Sequence, residues 1–245
     1  TDGRIEIGVG RGAFAYEFNR FNVPPEESRA RFDDSLALLE ALLTGKETGW
    51  KSEWYDFEPV AITPHPVQKS IPIWIAALSY PAIYHSAKRG YHIQTTPLRG
   101  GMETVKTQAT AFNDAVRDAE GTLDHLKFSM LRMLYVARDQ ADADEKVAMA
   151  YENHRRFCNV YDTPGTVKDG AIVPIDVEES IDDVRDALLI GTVPEIIDKL
   201  GAYNDLRVMD LLLNMGFGAS HEDVMGSMER FARDVMPHYQ KTRAA

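Results

Sequence analysis

Arg4-Ile5-Glu6-Ile7-Gly8-Val9-Gly10-Arg11-Gly12 is the stretch that decides the fold, because everything after it reads as βα units that need a neighbour on one side. Ile5, Ile7 and Val9 alternate with Glu6, Gly8 and Gly10, which is the period of a strand. The glycines at its end let another backbone or a ligand come close. Arg11 then leaves the strand at its C-terminal end, with a glycine on either side. Ligands gather at that end of a parallel α/β sheet or barrel, so Arg11 is placed either to meet a phosphate or to pair with a loop carboxylate. The segment is not a dinucleotide fingerprint, since the G-x-G-x-x-G spacing is absent and no helix opens directly after Gly12.

Residues 13–25 carry Phe14, Tyr16, Phe18 and Phe21 and read as a loop that either walls a flat ligand or packs onto its own barrel. Pro24 and Pro25 end it, and a helix follows through Leu43 on the spacing of Phe32, Leu36, Leu39 and Leu43. Ser28 or the Glu26-Glu27 pair suits its first turn, and Gly45 suits its exit. Trp50, Trp54, Tyr55, Phe57, Val60 and Ile62, punctuated by Pro59, Pro64 and Pro66, describe an inserted hairpin over 49–68. His65 sits there without a second ligand at metal spacing and reads as a hydrogen-bonding loop residue.

Residues 71–77 are apolar at successive positions, as a parallel strand buried on both faces requires. Leu78 and Ser79 leave that strand, and a helix over 80–89 ends at Gly90. A strand that runs straight into a serine and a helix N-terminus gathers free backbone N–H groups and a hydroxyl around one point. An anion can be held there without any lysine, and Ser79 suits a plain N-cap as well. The remainder alternates in the same way, with strands over 92–96, 126–137 and 209–215 and helices over 103–117, 141–161, 179–189 and 222–236. Thr192, Pro194 and Glu195 spell a capping box, and Pro237 stops the last helix. Gln94 and Thr96 face one side and suit a polar contact with a ring edge. Arg132 points inward from its strand, where it either helps to form a pocket or pairs with a carboxylate.

The chain's 245 residues, 44% of them hydrophobic, are enough for one full core. A formal net charge of −11 argues against nucleic acid or an anionic membrane as partner, because the average surface repels phosphate. Cys158 is the single cysteine, which suits a reducing compartment, and its neighbours suit helix packing rather than catalysis. No apolar run long enough for a membrane helix and no targeting motif is visible. Metal-ligand spacing, a G-x-S-x-G elbow and a P-loop are also absent.

Five segments resemble, in order, the bacterial luciferase-like flavin-dependent monooxygenases: GRIEIGVGRGAFAYEF at 3–18, RARFDDSLALLEALLTG at 29–45, PVQKSIPIWIAALS at 66–79, ALLIGTVPEIIDKL at 187–200 and SMERFARDVMPHY at 227–239. The resemblance implies a TIM (β/α)8 barrel as one domain over 1–245, of which this chain covers roughly strands 4 to 8. About 90 residues of N-terminal barrel units are expected to precede it, at roughly 30 per unit. The hairpin then lies before the next barrel strand, and 162–178 is a lid or insertion loop. The implied reaction is oxygenation of a small organic substrate by reduced FMN and O2, with the flavin delivered by a separate reductase. The FMN phosphate is carried onto Arg11, Ala77, Leu78 and Ser79. Leu78 stands where typical members have an acidic or polar residue, and Pro81-Ala82 where they have threonine-like residues, so only backbone N–H contacts carry over. The family's catalytic histidine belongs to the preceding units, and no catalytic acid or base is assigned to this chain. A homodimer or other homo-oligomer in the cytoplasm is the implied setting. Two alternatives share the fold: a deazaflavin-dependent oxidoreductase that moves hydride without oxygen, and a non-catalytic flavin-binding protein.

Overall fold

The computed structural model describes residues 2–206, 208 and 210–240. Strand β1 (Ile7–Val9) leads through helix α1 (Ala15–Arg20) and the long helix α2 (Ser28–Leu43) to a hairpin of β2 (Thr48–Lys51) and β3 (Asp56–Val60). Then β4 (Ile73–Ala76), α3 (Tyr80–Lys88), β5 (His92–Thr95), α4 (Met102–Arg117), β6 (Phe128–Val136) and α5 (Gln140–Asp162) alternate. A ribbon of β7 (Val167–Lys168) and β8 (Ala171–Ile172) precedes α6 (Ile181–Ala187), β9 (Leu189–Gly191), α7 (Val193–Gly201) and β10 (Asp210–Asn214). Helix α8 (His221–Arg230), a π-helical turn (Phe231–Val235) and α9 (Met236–Gln240) follow.

The sheet runs β1-β4-β5-β6-β10 with every pairing parallel, and β9 joins the far end of β6. All these strands therefore leave on one side, where their connecting turns collect. The expected closed barrel is not seen as such: this path is a parallel sheet whose outer strands β1 and β10 each pair on one side only among the described residues.

The two faces of the sheet differ. Ile75, Ile93, Phe128 and Met130 pack under Ile83 of α3, Val105 and Phe112 of α4 and Ile196 of α7 in a single core. The rings of Phe112 and Phe128 stack with centroids 5.0 Å apart. On the opposite face Ala76, Gln94, Leu131 and Leu212 are exposed. That corrects the expectation of a 71–77 strand buried on both faces: helices cover one face, and the other is open at these positions, while further along β6 Tyr135 is buried there against Ala143 and Val147 of α5.

Local chemistry explains several departures from the expected elements. The aromatic segment after β1 is not wholly a loop, because Phe14 packs edge-on against Phe157 and Tyr161 of α5 and opens the short helix α1. Helix α2 has no acid in its first turn, since it begins at Ser28 after Glu27. The hairpin is tied to α2 by Asp34, whose carboxylate accepts from Trp50 Nε1 at 3.0 Å and Ser52 Oγ at 2.7 Å. Leu189 belongs to strand β9 rather than to the acidic helix, which closes at Ala187. The last helix does not stop at Pro237: widening over Phe231–Val235 removes the need for the proline's missing N–H, and helix resumes at Met236. The last strand begins at Asp210, and Met209, expected as its first residue, lies outside the described residues.

Two polar devices fasten the end of β6. Ser227 of α8 is buried and accepts from Val136 N–H at 2.8 Å, while Arg230 Nε donates to Val136 O at 2.9 Å. Replacing Ser227 by alanine strands a buried amide, so stability should fall by about 1–3 kcal/mol in chemical denaturation. Nearby, Lys146 is buried and reaches Asp142 at 3.4 Å, Glu145 at 3.0 Å and Asp223 at 3.2 Å. Burial pushes the Asp142 carboxyl up, but hydrogen bonds from Arg138 and Lys146 outweigh it and hold the group at about 2, against an ordinary 3.8. A depressed folded-state value contributes stability above the ordinary value and loses it as pH falls toward the folded one. Thermal melts between neutral pH and about pH 2 should show this loss, and Asp142→Asn should flatten the curve in that window.

Candidate functional site

The register of β1 with β4 sets Val9 beside Ile75, so Gly10-Arg11 and Ala77-Leu78-Ser79 leave the sheet as neighbours. A Cβ on Gly10 would stand 3.3 Å from Ala76 Cβ, which is why glycine suits this close approach. Arg11 is exposed, and its Nη1 donates to Ser28 Oγ at 2.8 Å. No carboxylate pairs with it among the described residues, so the loop-carboxylate alternative is replaced by a tether to a buried hydroxyl. The rest of the guanidinium fork keeps its donors.

The turn after β4 has a definite donor pattern. Ser79 caps α3, its Oγ accepting from Ala82 N–H at 3.4 Å and its carbonyl from Ile83 N–H at 2.9 Å. Ala77 N–H donates to Gln94 O at 3.1 Å and extends the ladder, so of the four carried-over residues Ala77 has no amide to offer. The amides of Leu78, Ser79 and Tyr80 find no partner among the described residues. Tyr80 was missed by sequence reasoning, although the missing N–H of Pro81 signals that the first helical residue carries the exposed donor. Behind this turn lies buried Gln108 of α4, whose Nε2 donates to Leu78 O at 2.9 Å and to Thr96 O at 3.0 Å.

A cavity of about 240 Å³ opens beside the strand ends, walled by the segment after β5, by β6, and by α5 and α6. Leu98, Leu131, Met133, Phe157 and Val184 give it an apolar lining, and Thr96 belongs both to its wall and to the Gln108 contact. Leu98 sits at φ +54°, a left-handed backbone that costs a leucine energy and holds the mouth segment in a sharp turn. Gln94 is exposed on the open face and Thr96 lies beyond β5, so the two do not form one polar strand edge.

Charged groups rim this cavity. Arg99 forks onto Asp162 at 2.7 and 3.1 Å and touches Cys158 Sγ at 3.3 Å. His154 Nε2 lies 3.5 Å from Glu179. Cys158 is buried, and burial raises its thiol above the ordinary value, which fits packing rather than nucleophilic attack. Arg132 also lines the cavity, but no carboxylate pairs with it among the described residues; it donates to the carbonyl of Ala187 at the C-terminus of α6. The helix end supplies the negative charge for which a carboxylate was the expected source. Burial lowers the Arg132 pKa, and Tyr203 partly offsets that. The 162–178 segment is stapled to α5, where Asn159 Nδ2 donates to Thr166 O at 3.0 Å and Val173 O at 2.6 Å.

Among the described residues no cluster of three metal-binding side chains occurs, and no helix is long and apolar enough to cross a membrane.

The profile of the luciferase-like monooxygenases matches residues 1–210. The oxygenase component of the flavin-dependent trigonelline monooxygenase of Acinetobacter baylyi is 26% identical over 254 residues, spanning 99% of this chain and 70% of that protein. The oxygenating constituent of 3,6-diketocamphane monooxygenase from Pseudomonas putida, solved with FMN, superposes with a TM-score of 0.70 at 17% identity over 96% of this chain and 71% of that one. An F420-dependent secondary alcohol dehydrogenase superposes with a TM-score of 0.71 at 15% identity over 96% of this chain and 69% of that one.

Proposed function

This chain belongs to the luciferase-like monooxygenase family, a family of oxidoreductases, and from that premise we propose that it uses reduced FMN and O2 to oxygenate a small organic substrate. The observation that carries the cofactor assignment is the pair of adjoining strand ends: three amides without partners at Leu78, Ser79 and Tyr80, beside a guanidinium with donors to spare at Arg11. Such a set fits a phosphate dianion, since a helix N-terminus contributes partial positive charge and Arg11 a full one. Ala77 serves by ending the ladder there rather than by an amide contact.

Reduced FMN, when bound, supplies the electrons and the atom at which oxygen is activated. The chain's own part is to anchor the phosphate at the turn, to exclude water and to hold the substrate. The apolar cavity beside Thr96 is the proposed substrate chamber, its 240 Å³ suiting a compact molecule. A separate flavin reductase is the proposed partner, in line with the relative named as an oxygenase component.

The second reading is hydride transfer with a deazaflavin, favoured by the likeness to an F420-dependent dehydrogenase, which is as close in fold as the FMN-bound relative. Oxygen consumption separates the two. With photoreduced FMN and a panel of small organic substrates, the full-length protein should take up oxygen faster with a true substrate than without one. Deazaflavin-dependent turnover without oxygen uptake would favour the second reading.

Arg11→Ala should weaken FMN binding by about 1.5–3 kcal/mol, and by more than Ser79→Ala, because arginine brings charge and a fork whereas the turn keeps its amides. Flavin fluorescence titration measures both. The melting temperature without flavin should barely move for Arg11→Ala, since that side chain is exposed; a large fall with unchanged flavin affinity would make its bond to Ser28 a structural one.

A further inference from the structure

Gln108 is a polar side chain in the middle of the buried face of α4, set among Val105, Ala109 and Phe112, where a leucine would pack at lower cost. Its Nε2 donates to two carbonyls from two different turns: Leu78 O after β4 at 2.9 Å and Thr96 O after β5 at 3.0 Å. Two carbonyls demand a donor, which fixes the orientation of the amide. Its Oε1 is buried without a partner among the described residues. A buried acceptor left unsatisfied costs stability, so the side chain does not sit here for the benefit of the core.

The peptide joining Leu78 to Ser79 is trans, the only cis bond among the described residues being Thr63-Pro64. Carbonyl and N–H point in opposite directions across a trans peptide plane. With Leu78 O drawn back onto α4 by Gln108, the Ser79 N–H is aimed the other way, out of the turn. The same side chain bolts this turn to the Thr96 segment that walls the cavity.

We propose that Gln108 is a positioning residue, aiming the Ser79 amide at the cofactor phosphate and locking the phosphate turn to the cavity wall through one side chain. This rests on the phosphate assignment above and adds the residue that fixes its geometry. Gln108 touches neither cofactor nor substrate.

FMN and riboflavin differ by the phosphate alone, so the ratio of their affinities isolates this effect from general damage to the fold. Both flavins are titrated by fluorescence against full-length wild type, Gln108→Leu and Gln108→Glu, with a thermal melt of each. Wild type should prefer FMN. Gln108→Leu should lose about tenfold of that preference, the equivalent of one hydrogen bond to a charged group, while riboflavin affinity changes about twofold at most. Gln108→Glu keeps the shape but turns a carboxylate on two carbonyls; it should behave like the leucine variant at neutral pH and regain part of the preference on acidification, relative to wild type at the same pH, as a protonated acid donates again. It also serves if the leucine variant fails to fold. Equal losses of FMN and riboflavin affinity, or an unchanged preference in both variants, would overturn the proposal. Absence of any FMN preference in wild type would instead remove the phosphate assignment, and the role of Gln108 with it.

Discussion

Strand β6 is the constraint on which the rest of the structure depends. Its first residues pair with β5, the stretch from Ser129 to Met133 pairs with β10, and Leu134 to Val136 pair with β9. Three partners share one strand, and alternate residues face opposite sides, so a slip of one residue would turn every core side chain outward at once. Phe128, Met130 and Leu134 fill the helix-covered face. Pinned from both edges, β6 fixes where β5 and β10 end, and those ends frame the cavity. Its own end is held by α8 through both backbone groups of Val136.

Buried and half-buried cations next to β6 are settled in two ways. Lys146 is surrounded by carboxylates and sits well above the ordinary lysine value despite its burial. Arg132 and Lys199 are instead served by carbonyls at the end of α6: Arg132 by Ala187, and Lys199 by Arg185 at 3.0 Å, Leu188 at 2.8 Å and Ile190 at 3.3 Å. Burial lowers the pKa of Lys199 as it does that of Arg132. Carbonyl dipoles hold a cation less firmly than a carboxylate does, yet they place two charges at the junction of α6 and β9 without adding an acid to the core. The price is geometric: α6 must end where it does.

The order of strands and helices was legible because βα alternation writes itself in apolar periodicity and in punctuation such as Gly90, Thr192 and Glu195. Short elements were not. Strand β9 has three residues and continues a helix-like apolar run, so only its pairing with β6 reveals it. Pro237 reads as a stop because sequence cannot announce a π turn that makes room for it. At the candidate site, Arg11 and Ser79 were legible from their places at strand ends. Gln108 was not, since a glutamine in an amphipathic helix looks like a surface residue, and only the fold shows it facing inward toward two carbonyls. The tether of Arg11 to Ser28 is equally invisible, for it joins residues that no periodicity links.

A turn built from main-chain donors tolerates almost any side chain, which explains how Leu78 and Pro81-Ala82 stand in this segment without removing the amides of Leu78, Ser79 and Tyr80. A phosphate held at such a turn, as proposed above, would be met alike whichever phosphorylated cofactor carried it. Choice would require contacts that differ between ring systems, and on the proposed assignment the candidate wall for them is the cavity side where Thr96, Leu98 and Arg99 meet α5 and α6. That wall is held by side chains: Arg99 is clamped by Asp162, Asn159 staples the following segment, and Leu98 is kept in a strained turn. A side-chain scaffold changes with single substitutions, whereas a main-chain turn does not. On the proposed assignment, anchoring falls to a main-chain turn and choice to a side-chain wall, and Gln108, bonded to both segments at once, is the side chain that joins the two.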